Sequence, residues 1–136
     1  MGAVLVPFDG SPAALRALRH ATTLGASIHI VNVQVKADSP ALLLHRTQEE
    51  IDHHQRDYGA AQLADARKLL DEARVPYTQH VRIGEPAEEI ARLCASERID
   101  QIVMGTRGMS AIGNWVLGST STKIIHLANV PVTLVK

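Results

Sequence analysis

Gln101-Ile102-Val103-Met104-Gly105-Thr106-Arg107-Gly108 begins the stretch that decides the fold, and Gly118-Ser119-Thr120-Ser121-Thr122-Lys123-Ile124-Ile125-His126-Leu127 completes it. The run Gln101–Met104 has the length and apolar character of a strand buried on both faces. Two glycines, Gly105 and Gly108, follow it, and Gly118 comes nine residues later. Gly118 leads into a helix whose first turn is crowded with hydroxyls. A strand, a glycine loop and a helix N-terminus in that order suit a phosphate. Glycine lets the backbone approach an anion closely, and a helix N-terminus offers unpaired N–H groups and partial positive charge. The spacing is neither that of the P-loop nor that of the dinucleotide fingerprint.

Outward from this stretch, the chain alternates strands and helices. Ala3–Phe8 is apolar throughout, as expected of a strand covered on both faces. Ser11-Pro12 is a cap followed by an N1 proline, so a helix begins there, and Gly25 is its C-terminal stop. Ile28–Val35 is a second strand. Ser39-Pro40 repeats the cap signal and opens a helical region to about Arg74, irregular in its first half, which Gly59 either interrupts or weakens. Tyr77–Ile83 alternates, with Thr78, His80 and Arg82 on the polar side, so a half-exposed edge strand is expected. Pro86 opens a helix that buries Ile90, Leu93 and Cys94, and Val130–Val135 is a fifth strand. The order β-α-β-α-β-α-β-α-β argues for a parallel sheet with helices on both faces.

Four blocks carry a resemblance that spans nearly the whole chain: Val4-Leu5-Val6-Pro7-Phe8-Asp9-Gly10-Ser11, Gly84-Glu85-Pro86-Ala87-Glu88-Glu89-Ile90, the Gly105/Gly108/Gly118 motif, and Val130-Pro131-Val132-Thr133-Leu134-Val135. Together they resemble the universal stress protein family, in its ATP-binding branch, as one domain over residues 1–136. The resemblance implies an α/β fold, a five-stranded parallel sheet of order 3-2-1-4-5 with helices on both faces (Rossmann-like, adenine nucleotide alpha hydrolase-like). An alternating third strand at a sheet edge agrees with that order. The switch point then falls between strands one and four, where ligands of such sheets bind.

The resemblance implies ATP, or AMP or ADP, as ligand, with Mg²⁺. Pro7, Asp9, Val33, Met104, Gly105, Arg107, Gly108, Gly118, Ser119, Thr120 and Ser121 are the candidate binding residues. Asp9 suits a hydrogen bond to ribose or adenine, or Mg²⁺ held through water; its plainer role is a turn bond to Gly10-Ser11. Val33 contributes main-chain groups that read the adenine edge. Pro7 and Met104 line the base pocket or simply fill core. Arg107 either pairs with phosphate or faces solvent, and Ser119 is either a phosphate ligand or a plain N-cap. Lys123, one turn inside the helix, is left out of the site. Gly113 and Trp115 belong to the crossing segment, with no role assigned to Trp115.

Composition excludes other classes. The chain has 136 residues, 14 basic and 14 acidic, and only 3% aromatics, so aliphatic residues build the core. Zero net charge gives no attraction to nucleic acid. No apolar run reaches membrane-span length, and the N-terminus lacks a signal-peptide pattern. Cys94 is the single cysteine and is expected as an inert buried thiol. A cytoplasmic location follows as the expectation. His45, Glu49, His53 and Asp57 stand at i, i+4 steps; a solvated ion-pair stripe is the plain reading and a zinc site the sharper one. No residue presents itself as a base that activates water. The expected function is therefore a nucleotide-dependent regulator of a stress response that acts on a protein partner. A slow ATP hydrolase or phosphotransferase, or an AMP-binding interaction module, is the alternative. The uncharged fifth strand Val130–Val135 lies at a sheet edge, which predicts a homodimer through it.

Overall fold

The computed structural model describes residues 2–106 and 118–136. Five parallel strands form one sheet in the order β3-β2-β1-β4-β5. They are β1 (Ala3–Pro7), β2 (Ser27–Gln34), β3 (Tyr77–Ile83), β4 (Gln101–Gly105) and β5 (Val132–Val135). The described helices are α1 (Pro12–Thr22), α2 (Pro40–Leu43), α3 (Gln48–Gln62), α4 (Ala64–Glu72), α5 (Pro86–Ser96) and α6 (Ser119–Leu127).

Period-two alternation divides the core. Val4 and Val6 of β1, Ile28 and Ile30 of β2 and Val103 of β4 meet Ala14, Ala17, Leu18 and Ala21 of α1 and Ala66 and Leu70 of α4 on one face. Leu5, Val31, Ile102 and Met104 meet Ala87, Ile90, Leu93 and Cys94 of α5 and Ile124 of α6 on the other. Full burial of each Leu or Ile contributes about 1.5–3 kcal/mol, so both helical layers are held by area rather than by polar contacts. The small alanine face of α1 also lets that helix sit close to the sheet. Its cap forms as the sequence predicts: the Ser11 hydroxyl accepts from Ala14 N–H at 3.1 Å, with Pro12 in the first turn. Gly25, at φ +66°, lies just past the helix end.

Three local expectations change. The region from Pro40 to Arg74 is three helices, not one. Ser39 caps a single short turn, and a capping box between Thr47 and Glu50 starts α3 afresh. Gly59 does not interrupt α3, because it faces the sheet: a Cβ there would lie 2.7 Å from Val81 Cγ1 and 3.1 Å from Asn32 Oδ1. Its role is close approach. Helices α4 and α5 end without glycine, with Arg74 and Arg98 in the left-handed region at φ 56° and 53°.

The third change concerns β3. Its polar side is not uniformly turned to solvent: Thr78 is exposed and Arg82 half-buried, but His80 is only 8% exposed. β3 is an edge in hydrogen bonding, yet α5 ends beneath it and Glu97 comes within 3.9 Å of His80. An edge strand therefore has both faces partly covered. β5 is the other edge and begins at Val132 rather than Val130; Val132 and Leu134 pack toward α5 and α6.

Candidate functional site

β1 and β4 are neighbours, the helices α1 and α6 pack on opposite faces of the sheet, and a cleft of about 710 Å³ opens beyond the carboxyl ends of the two strands. That volume lies within the usual range for small-molecule sites. Pro7, Asp9, Val33, Met104, Gly105, Gly118, Thr120 and Ser121 all line it. Ser119 does not, being turned outward and exposed at the first position of α6. Arg107 and Gly108, with Gly113 and Trp115, lie outside the described residues.

The floor is shaped by how β1 and β2 part. Their ladder ends with Phe8 N–H donating to Val31 C=O at 2.8 Å. Asn32 extends it by one side-chain bond, Nδ2 to Phe8 C=O at 2.9 Å, while its Oδ1 accepts from Gln34 Nε2 at 2.6 Å. Asn32 is 4% exposed and so fixes where the chain leaves the sheet. Val31 directs its carbonyl to β1; with a repeat of two, Val33 directs its N–H and C=O the same way. At Val33, β1 has already turned off, so these groups face the cleft. Sequence reasoning assigned Val33 but not Asn32, which looks like an ordinary strand residue until its partner on β1 is known.

Asp9 stands at the turn. Its Oδ1 accepts from Ser11 N–H at 2.9 Å, the local turn bond, and Gly10 supplies the positive φ of +84°. Among the described residues its other carboxylate oxygen makes no hydrogen bond, and the side chain is exposed. The turn role and a ligand role are thus compatible, one oxygen for each.

The far wall is a helix N-terminus. Gly118 is the N-cap of α6, not Ser119, and among the described residues no side chain caps the helix. The first intrahelical bond is Thr122 N–H to Gly118 C=O at 3.1 Å. The N–H groups of Ser119, Thr120 and Ser121 therefore lack helical partners, as the first amides of any helix do. They present positive potential where Gly118 and Thr120 line the cleft.

Gly105 has a second reason to be glycine. A Cβ there would meet Ala13 C and O at 2.6 Å, so α1 packs its first turn directly on the end of β4. Arg16, one turn further along α1, also lines the cleft, with Nε donating to Lys136 C=O at 2.7 Å. Sequence reasoning missed Arg16; the available signal was its place off the Ala14/Ala17/Leu18/Ala21 core face and near the N-terminus of α1. Lys123, left out of the site, ion-pairs with Glu85 at 3.5 Å and ties α6 to α5. Glu85 also caps α5 by accepting from Glu88 N–H at 2.8 Å. That bond, a second from the Ala87 amide and the Lys123 charge together hold its carboxyl below the usual range. Cys94 is buried as expected, and burial pushes its thiol up to about 11. Of the α3 stripe, His53 and Asp57 pair at 3.4 Å in full exposure, and His45 lies before the helix begins.

The universal stress protein family model matches residues 1–136, the whole chain. The chain belongs to the universal stress protein family. Universal stress protein MJ0531 of Methanocaldococcus jannaschii is 29% identical over 98% of this chain and 81% of its own length. The solved structure of MJ0577, a universal stress protein of the same organism, superposes with a TM-score of 0.80 at 24% identity, covering 99% of this chain and 95% of that one. A universal stress protein family member from Arabidopsis thaliana, solved with AMP bound, covers all of this chain and 92% of its own at a TM-score of 0.69 and 20% identity. These likenesses match the observed strand order. No helix among the described residues is long and apolar enough to cross a membrane.

Proposed function

We propose that this universal stress protein binds an adenine nucleotide, ATP or else ADP or AMP, in the β1/β4 cleft and uses it to regulate a protein partner in a cytoplasmic stress response. The observation that carries the reading is the N-terminus of α6, without a side-chain cap among the described residues, opening on the same cleft as Asp9, Gly105 and Val33. Val33 reads the adenine edge, with Pro7 and Met104 as apolar walls. The amides at Gly118–Ser121 hold phosphate oxygens, and Arg16 adds a guanidinium. The family resemblance adds Arg107 and Gly108, outside the described residues, as candidates for phosphate contact. Asp9 meets the ribose with its unused oxygen, or Mg²⁺ through water. The AMP carried by the Arabidopsis relative supports the ligand class. The test is calorimetry with ATP, ADP and AMP on wild type and Gly118→Val. Gly118 has φ −66°, so valine is tolerated by the backbone but blocks approach of the anion. Affinity should fall at least about tenfold, or 1.4 kcal/mol, with the fold retained; equal affinity in a folded variant overturns the assignment.

The same reading includes a homodimer. β5 is an edge strand, its outer side carries no charge before Lys136, and Pro131 blunts only its entry. An antiparallel pairing of two β5 strands about a two-fold axis satisfies such an edge. Light scattering should show a dimer that Val132→Lys dissociates while circular dichroism shows the fold retained; a monomeric wild type at micromolar concentration, or a folded lysine variant that stays dimeric with unchanged affinity, refutes it.

A further inference from the structure

At the corner where β2, β3 and the C-terminal end of α5 meet, three groups stand outside the nucleotide cleft. His29 on β2 and His80 on β3 point to the same face, with His29 opposite Thr78 and His80 opposite Val31 in the register. His29 Nδ1 and His80 Nε2 are 3.0 Å apart. The rings are inclined by only 7°, and their centroids are 5.2 Å apart. That separation nearly equals the N···N distance plus the two ring radii. The nitrogens therefore lie close to the line between the centroids, and the rings meet edge to edge in a common plane. One ring donates and the other accepts, which requires one bare nitrogen.

Glu97 completes the group. Its Oε1 lies 3.9 Å from His80 Nε2, and all three ligand atoms fall within 4.8 Å of one another. His80 is buried, His29 is half-buried, and the Glu97 side chain is 38% exposed, so water reaches the group from the Glu97 side. Burial, then the neighbouring His29, holds the His80 imidazole below its usual pKa, against the opposing pull of Glu97.

We propose that His29 Nδ1, His80 Nε2 and a carboxylate oxygen of Glu97 form a binding site for a divalent transition-metal ion, zinc being the type case. Two imidazoles and one carboxylate suit zinc, cobalt or nickel rather than the oxygen-seeking magnesium of a nucleotide complex. Two nitrogens on a tetrahedral zinc with bonds of about 2.0–2.1 Å stand about 3.4 Å apart. The pair opens by a few tenths of an ångström, and both rings turn so that their lone pairs converge toward Glu97. The proton between the rings is lost to solvent, and the ring that carried it takes one at its other nitrogen, so both stay neutral. Water fills the fourth position from the open side. The ion ties two strands to a helix end, through histidines separated by 51 positions.

The experiment uses the full chain after chelation, titrated with zinc by calorimetry and with cobalt by visible absorption. One ion should bind per chain, with the intense bands of four-coordinate cobalt. Glu97→Gln, a change at an exposed helix end that keeps the fold, and His29→Gln should each weaken zinc binding by more than the roughly 10-fold that loss of an outer-shell partner costs a metal site. His53→Asn, on the exposed α3 stripe, should leave it unchanged. The site is refuted if uptake does not saturate at one equivalent, if either Glu97→Gln or His29→Gln binds zinc as wild type does, or if His53→Asn abolishes binding.

Discussion

The cleft beyond β1 and β4 and the imidazole pair between β2 and β3 are both polar arrangements on an apolar sheet, but they draw on different parts of the chain. The cleft is mostly backbone: glycines, a helix N-terminus and the main chain of a strand that has lost its neighbour. The corner is made of side chains from three elements, and no short stretch contains two of them. A backbone site is specified by local conformation, which short runs of residue types encode. A side-chain site is specified by register and by where a helix ends, and both are settled only when the sheet assembles.

Substitutions that strain one region and spare the other sharpen this contrast. The largest effect is expected from Gly105→Val. Its Cβ would meet the Ala13 backbone at 2.6 Å, and a helix backbone yields far less readily than a side chain. A loss of at least about 3 kcal/mol in urea unfolding is expected, the upper end of overpacking costs. A change under about 1 kcal/mol would mean that α1 is free to move off the end of β4.

A smaller effect belongs to the corner and depends on pH. Folded His80 takes up its proton at lower pH than the unfolded chain does, because burial and then His29 and Arg82 oppose the charge and Glu97 only partly offsets them. Just below the ordinary histidine value of about 6.5, the unfolded chain holds more protons, so stability rises with pH through that window and falls as acid is added. Unfolding curves of wild type and His80→Gln across this range should diverge, with the wild type the more acid-sensitive. Parallel curves would mean that burial of His80 carries no proton-linked contribution to stability.

The smallest effect is expected from Lys123→Met. The Lys123–Glu85 pair is largely exposed on the lysine side. Such pairs contribute about 0–1 kcal/mol, so stability should move within that range and nucleotide affinity should not move. A clear drop in ATP affinity would mean that the lysine swings into the cleft, and would erase the distinction from P-loop sites.

Ser11-Pro12, Ser39-Pro40, Gly25 and the alternation of strands with helices were legible in the sequence because each acts within a few residues of itself. The same holds for the Asp9 turn, which follows from local turn chemistry, while the strand order came through the resemblance; spacing singled out Gly105 and Gly118, but the packing of Gly105 on Ala13 and the N-cap place of Gly118 appear only in the fold. Thr47 and Glu50, which break the region after Pro40, were legible in principle as a capping box, but the apolar periodicity running through them masked the stop. Other features were decided by tertiary structure alone. Gly59 reads as a weak point in a helix until Val81 stands 2.7 Å from where its Cβ would be. Asn32 and Arg16 acquire roles only when Phe8 and the cleft are set beside them. His80 reads as the polar, outward residue of an alternating edge strand, yet it is buried. Alternation tells which residues share a face of a strand; only the packing of α5 tells which face is covered.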